Sequence, residues 1–164
     1  MNDTTVNQIG RTGVQAAKFV TILRNAGLRI TAQRRAVCDH LAATENHPSP
    51  YQVYAALSAV NPDVSRATVY NTLNTLRDLG AIVEISVGTG HTRYDTDTSA
   101  HINLICLGCD RVVDYHGAFS MEAIREQIVK DVGFVSVAGK VELMGFCQEC
   151  RDRKRDEIRQ RAAG

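Results

Sequence analysis

The sequence predicts an α+β fold, an N-terminal winged helix-turn-helix followed by a small α/β domain holding a four-cysteine zinc site. Three observations carry this. Apolar residues recur at helical spacing up to Gly80, and the period changes to alternation just after it. Two Cys-x-x-Cys pairs then stand in the second half of the chain.

The opening, MNDTTVNQIGRTG, is polar and lacks the apolar core of a signal peptide, and residues 1–12 read as a flexible tail. A first helix follows and ends near Gly27. Thr31 is placed to cap a second helix carrying Val37 and Leu41, with Cys38 as a small buried core residue. His47-Pro48-Ser49-Pro50 interrupts that helix, and Ser49 can start a third one with Val53 and Leu57. Val69, Leu73 and Leu76 stand at i, i+4 and i+7, the stripe of a fourth helix over residues 65–79, capped by Ser65 and stopped by Gly80.

Past Gly80, Val83, Ile85 and Val87 alternate, Gly88-Thr89-Gly90 turns the chain, and residues 91–95 return as a second strand. Helices followed by a hairpin make the winged helix, assigned to residues 13–95. Residues 96–100 (TDTSA) form a short polar hinge before a domain over residues 101–164. There, residues 102–106 and 112–115 read as strands around Cys-Leu-Gly-Cys. Met121, Ile124 and Ile128 mark a helix, residues 135–145 a further strand, and residues 148–163 a charged helix.

With 44% hydrophobic and 23% charged residues among 164, the chain is globular rather than disordered. No apolar run approaches ~18 residues, so no membrane partner is expected, and the chain is expected to be cytoplasmic, where disulfides are disfavoured. The net charge of +1 hides a local bias. Arg11, Lys18, Arg24, Arg29, Arg34 and Arg35 follow one another with no acidic residue between them. Such a stretch can meet phosphate, or be simply a solvated helix face.

CLGC and CQEC supply Cys106, Cys109, Cys147 and Cys150, four thiolates suited to tetrahedral Zn(2+). The alternatives are free thiols, disulfides or a thioredoxin-like pair, and the last needs a βαβ context that is missing. H-x-E and P-C-x-x-C, the signature of a zinc deaminase, do not occur. Four thiolates leave no open position, so the zinc is structural, and no enzyme is expected.

GLRITAQRRAVCDHL, HPSPYQVYAAL, VSRATVYNTLNTLRDLGAIVEI, RYD, AHINLICLGCDRVVDY and GFCQEC together resemble the ferric uptake regulator family in order and spacing, over roughly residues 14–155. The resemblance implies a homodimeric, metal-activated repressor, so that the second domain is a dimerisation domain. Its peroxide-sensing branch is the most similar, since Asp95 follows Tyr94 where iron sensors carry glutamate.

The resemblance nominates His47, Asp95, His101, Asn103 and Asp114 as ligands of a regulatory Fe(2+) or Mn(2+). Singly, each is as well an ordinary loop, capping or solvated residue. His101 and Asn103, at i and i+2 on a strand, share a face, with Cys106 on the other. A set of nitrogen and oxygen donors without thiolate suits iron or manganese. Asn103 departs from the family, which has histidine there; either it is a ligand or His91 or His116 replaces it.

The implied DNA set is Arg29, Arg34, Ser65, Arg66, Thr68, Tyr70 and Asn71, with Arg93 also within reach of phosphate. Its partner is double-stranded DNA with an AT-rich inverted repeat. Ligands from both domains make metal binding set the spacing of two recognition helices. In the peroxide-sensing branch the oxidant attacks a ligand histidine, here His47 or His101. The alternatives are an iron or manganese uptake regulator without peroxide chemistry, and a zinc-stabilised interaction module that does not bind DNA.

Overall fold

The computed structural model describes residues 3–44, 46–88, 90–136 and 139–162. The chain divides into two compact units between Thr98 and Ser99, inside the segment expected to be the hinge.

The first unit holds helices α1 (Asp3–Asn25), α2 (Ala32–Ala43), α3 (Pro50–Val60) and α4 (Arg66–Asp78), then strands β1 (Val83–Val87) and β2 (His91–Asp95). α1 starts upstream of the sequence reading, so residues 3–12, expected as a tail, form its first turns. Extending a helix whose later turns are already packed adds one hydrogen bond per residue, and no proline intervenes. The other three helices start at the caps the sequence named. The Thr31 hydroxyl accepts from the Arg34 amide and the Ser65 hydroxyl from the Thr68 amide, while Ser49 and Gln52 form a reciprocal capping box.

Phe19, Leu23, Val37, Cys38, Leu41, Val53, Val69, Leu73, Leu76 and Ile82 interlock as one buried core. β1 and β2 pair antiparallel from Val83↔Asp95 to Val87↔His91. In the expected turn, Gly88 and Gly90 take positive φ and Thr89 lies outside the described residues.

The second unit contains β3 (Ile102–Cys106), β4 (Val112–Tyr115), α5 (Met121–Val132), β5 (Val141–Gly145) and α6 (Gln148–Ala162). Its sheet runs β4-β3-β5, antiparallel then parallel. β5 is shorter than the strand expected over 135–145, because its partner β3 offers only five residues to pair with; residues 137–138 lie outside the described ones. α5 forms where its stripe predicts, yet buries none of it, and Ile124 remains 42% exposed.

The sheet register sorts side chains by face. Val113, Leu104 and Leu143 form one row across the three strands, and Tyr115, Ile102 and Val141 the next, on a face where Val113, Leu104, Leu143 and Tyr115 stay exposed. Asp114, Asn103 and Glu142 form a polar row on the opposite face. No helix among the described residues is long and apolar enough to cross a membrane.

Candidate functional site

Cys106 ends β3, Cys109 closes the turn before β4, Cys147 precedes α6 and Cys150 lies in its first turn. Their four Sγ atoms lie within 4.8 Å of one another. The Cys109 and Cys147 sulfurs are 3.9 Å apart. That is far beyond the ~2.05 Å of a disulfide. It matches the roughly 3.8 Å edge of a tetrahedron of thiolates each about 2.3 Å from zinc.

The backbone is shaped to this cluster. The amides of Gly108 and Cys147 donate to Cys106 Sγ at 3.4 and 3.3 Å, and Arg153 Nη2 donates to Cys150 Sγ at 3.3 Å. A Cβ on Gly108 would stand 2.9 Å from that of Cys150, so only glycine lets the two knuckles approach. The Leu107 amide donates to the Gly145 carbonyl at 2.7 Å and holds the knuckles together.

Burial would raise the Cys106 thiol, but the amides of Cys147 and Gly108 outweigh it and bring its pKa down to about 6. Burial and the neighbouring thiols push Cys150 up to about 12. Only a cation at the centre lets all four ionise together. The donors and the spacing fit zinc.

The residues nominated for the regulatory metal fall as a histidine–carboxylate pair in each unit, with Asn103 beside the second. In the first unit, His47 lies in the loop before α3 and Asp95 ends β2. His47 Nε2 is 3.7 Å from Asp95 Oδ1, and both residues are buried. The loop is tied to β2 twice, by Arg93 Nη1 donating to the His47 carbonyl and the Tyr94 amide donating to the Pro48 carbonyl, each at 3.0 Å. Arg93 is therefore engaged within its own unit through Nη1.

In the second unit, His101 Nε2 is 3.6 Å from Asp114 Oδ1, and Asn103 pairs with Asp114 across β3 and β4. His101 Nδ1 lies 3.0 Å from the Ser99 carbonyl. A proton on Nδ1 donates there and leaves the Nε2 lone pair toward Asp114, the arrangement by which ligand histidines are held. Separations of 3.6–3.7 Å are too long for hydrogen bonds. They are close to the roughly 3–3.6 Å between neighbouring donors on one divalent ion. Asn103 is 3% exposed, and its Oδ1 has no hydrogen-bond partner among the described residues.

His91 is set aside as a substitute ligand beside Asp95. It opens β2 four residues before Asp95, which on a strand is about 13 Å away.

On α4, Val69, Thr72, Leu73 and Leu76 face the core, while Arg66, Ala67, Tyr70 and Asn71 are exposed on the other side. The Arg66 guanidinium stacks 5.1 Å from the centre of the Tyr54 ring. Ser65 and Thr68 serve the cap, their hydroxyls 2.9 Å apart. Arg34 Nη1 donates to the Arg29 carbonyl at 2.6 Å.

Gln33, absent from the sequence reading, binds both sides of the loop before α4. Its Nε2 donates to the Asp63 carbonyl at 2.7 Å and its Oε1 accepts from the Ser65 amide at 3.3 Å. No local pattern announces a glutamine that acts thirty residues away. Tyr54 beneath Arg66 was missed for the same reason.

The sequence model of the Ferric uptake regulator family matches residues 25–144. The peroxide-responsive repressor PerR of Staphylococcus saprophyticus is 37% identical over 140 residues, covering 85% of this chain and 93% of its own. The ferric uptake regulator of Pseudomonas aeruginosa, solved with manganese, is 30% identical with a TM-score of 0.61, over 77% of this chain and 95% of its own. The Helicobacter pylori ferric uptake regulator superposes with a TM-score of 0.72 at 20% identity, over 85% of this chain and 93% of its own, a likeness of fold.

Proposed function

The chain belongs to the ferric uptake regulator family, and from that premise we propose that it is a metal-dependent, peroxide-responsive transcriptional repressor. The observation that carries this reading is the division of one small sheet. Its β3 strand ends in Cys106 of a closed four-thiolate cluster, while His101, Asn103 and Asp114 stand together without thiolate. A closed tetrahedron holds its zinc for structure, and donors of nitrogen and oxygen suit an exchangeable Fe(2+) or Mn(2+).

His47, Asp95, His101, Asn103 and Asp114 are the regulatory ligands in this reading, joined by the family register, which matches at every position but Asn103. Drawing ligands from both units makes DNA affinity depend on occupancy. The exposed face of α4, with Arg66, Tyr70 and Asn71, meets the major groove, and Ser65, Thr68, Arg29 and Arg34 lie at its phosphate edge. The apolar face of the second unit's sheet takes a second copy of the chain. The resulting homodimer reads an AT-rich inverted repeat.

His47, Asp95, His101, Asn103 and Asp114 would hold Fe(2+), whose chemistry with peroxide would be to activate it beside the two rings. In the net change peroxide would give one oxygen atom to a ring C–H of His47 or His101 and leave as water. His101 is disposed for this because the Ser99 carbonyl fixes which nitrogen faces the site. The relative from S. saprophyticus favours this over plain metal sensing by its name, peroxide-responsive repressor. Treating the iron-loaded protein with peroxide should release DNA in a gel shift and add the mass of one oxygen to a peptide containing His47 or His101. The manganese-loaded protein should do neither. DNA release without the adduct would leave an iron or manganese regulator of the same family.

A further inference from the structure

Asn103 offers the regulatory site an amide oxygen, a neutral donor weaker than imidazole. The register of the sheet supplies a stronger one. Ile102 pairs with Tyr115 and Asn103 with Asp114, so continuing that register one step past the strand ends sets His101 opposite His116. Four residues thus form a square on one sheet face, His101 opposite His116 and Asn103 opposite Asp114. The His101 and His116 rings confirm the pairing, with centroids 5.3 Å apart and planes inclined by 41°. Two imidazoles bound through nitrogen at about 2.1 Å to one ion have centroids roughly 4.5–5.5 Å apart.

We propose that His116 is a ligand of the regulatory metal in this protein, completing with His101, Asp114 and Asn103 a donor set carried entirely by the second unit. The proposal rests on the metal-sensing reading above. Two observations bear on the rest of the donor set. The Oδ1 of Asn103, buried with its residue 3% exposed, has no hydrogen-bond partner among the described residues, as a donor oriented toward an ion would have. Glu142, the third member of the polar row, is 2.7 Å from the Lys140 ammonium and so already neutralised. His116 is exposed at the end of β4, where an imidazole can swing onto an ion without disturbing a core.

With His116 as ligand, the second unit holds an ion without His47 and Asp95, so that metal loading and the change in DNA affinity separate in mutants.

The test uses the full-length, zinc-loaded protein, with Co(2+) as an optical probe and Mn(2+) for affinity by chelator competition. His116→Ala should weaken Mn(2+) about 10–100-fold and shift the visible Co(2+) bands, with zinc content unchanged. Adding Asn103→His to it should restore affinity, because an imidazole returns to the same face. The double variant His47→Ala/Asp95→Ala should still bind one Co(2+), and adding His116→Ala should abolish that binding. A His116→Ala protein with unchanged Mn(2+) affinity and an unchanged Co(2+) spectrum would overturn the assignment alone. A parent protein that takes up no ion beyond its zinc would overturn the metal-sensing reading and this assignment with it.

Discussion

The Arg93 guanidinium donates to the carbonyl of His47 at 3.0 Å, joining the hairpin to the loop that carries a proposed metal ligand. The same guanidinium nitrogen reaches Gln52 Oε1 at 3.4 Å, the residue that closes the capping box of α3. A charged donor on a carbonyl fixes the backbone, and hence the direction of the histidine ring. Arg93→Ala should therefore weaken Mn(2+) binding about 10–100-fold, as losses behind a ligand do, with zinc content unchanged. Competition titration beside elemental analysis measures both, and an unaltered Mn(2+) affinity would remove Arg93 from the site.

Zinc should behave as a structural element of the second unit alone. That unit buries few side chains of its own, Ile105, Cys106 and Cys150 among them, while the large core belongs to the first. Structural zinc contributes roughly 10 kcal/mol or more to folding in small domains. Cys109→Ser should lose the metal and melt the β4-β3-β5 sheet, yet leave α1 to α4 folded. Hydrogen exchange resolved by residue checks this, and equal loss of protection in both units would contradict it.

Cys38 gives an alkaline signature. Burial, then the nearby Asp39 carboxylate, raises its thiol from 9.0 to about 11. The folded value lies above the ordinary one, so its contribution is whole below pH 9 and is lost as pH rises through 11. The loss is on the order of 2–3 kcal/mol. Denaturant unfolding between pH 9 and 11 should show this fall in the parent and a flatter profile in Cys38→Ala. Below pH 9 the thiol should resist alkylation in the folded protein.

Tyr70→Ala and Asn71→Ala should each weaken specific DNA binding by about 1–3 kcal/mol without lowering thermal stability, because both lie on the exposed face of α4. Leu73→Ala, on the opposite face and fully buried, should instead cost about 2–5 kcal/mol of folding stability. Gel shifts at two salt concentrations, beside thermal melts, separate the two effects.

The sequence by itself determined what is local. Ser49 and Ser65 cap their helices through residues three positions on, Val69, Leu73 and Leu76 share one helical stripe, and each cysteine pair closes its own knuckle. Each signal lies within a turn or two of chain, so composition and spacing suffice to read it. His47, Asp95, His101 and Asp114 became legible through the family register, and the structure places them as one pair in each unit.

Only the tertiary structure decided which distant residues meet. Arg93 reads as a surface cation until β2 is laid beside the His47 loop, and Gln33 as an ordinary helix residue until the loop before α4 arrives on it. The length of β5 follows from β3, and His116 comes opposite His101 only through the register of β3 on β4. The physical reason is the period of two in a strand. A slip of one residue would turn the whole Asp114–Asn103 face over, and nothing within either strand alone states which pairing the folded sheet adopts.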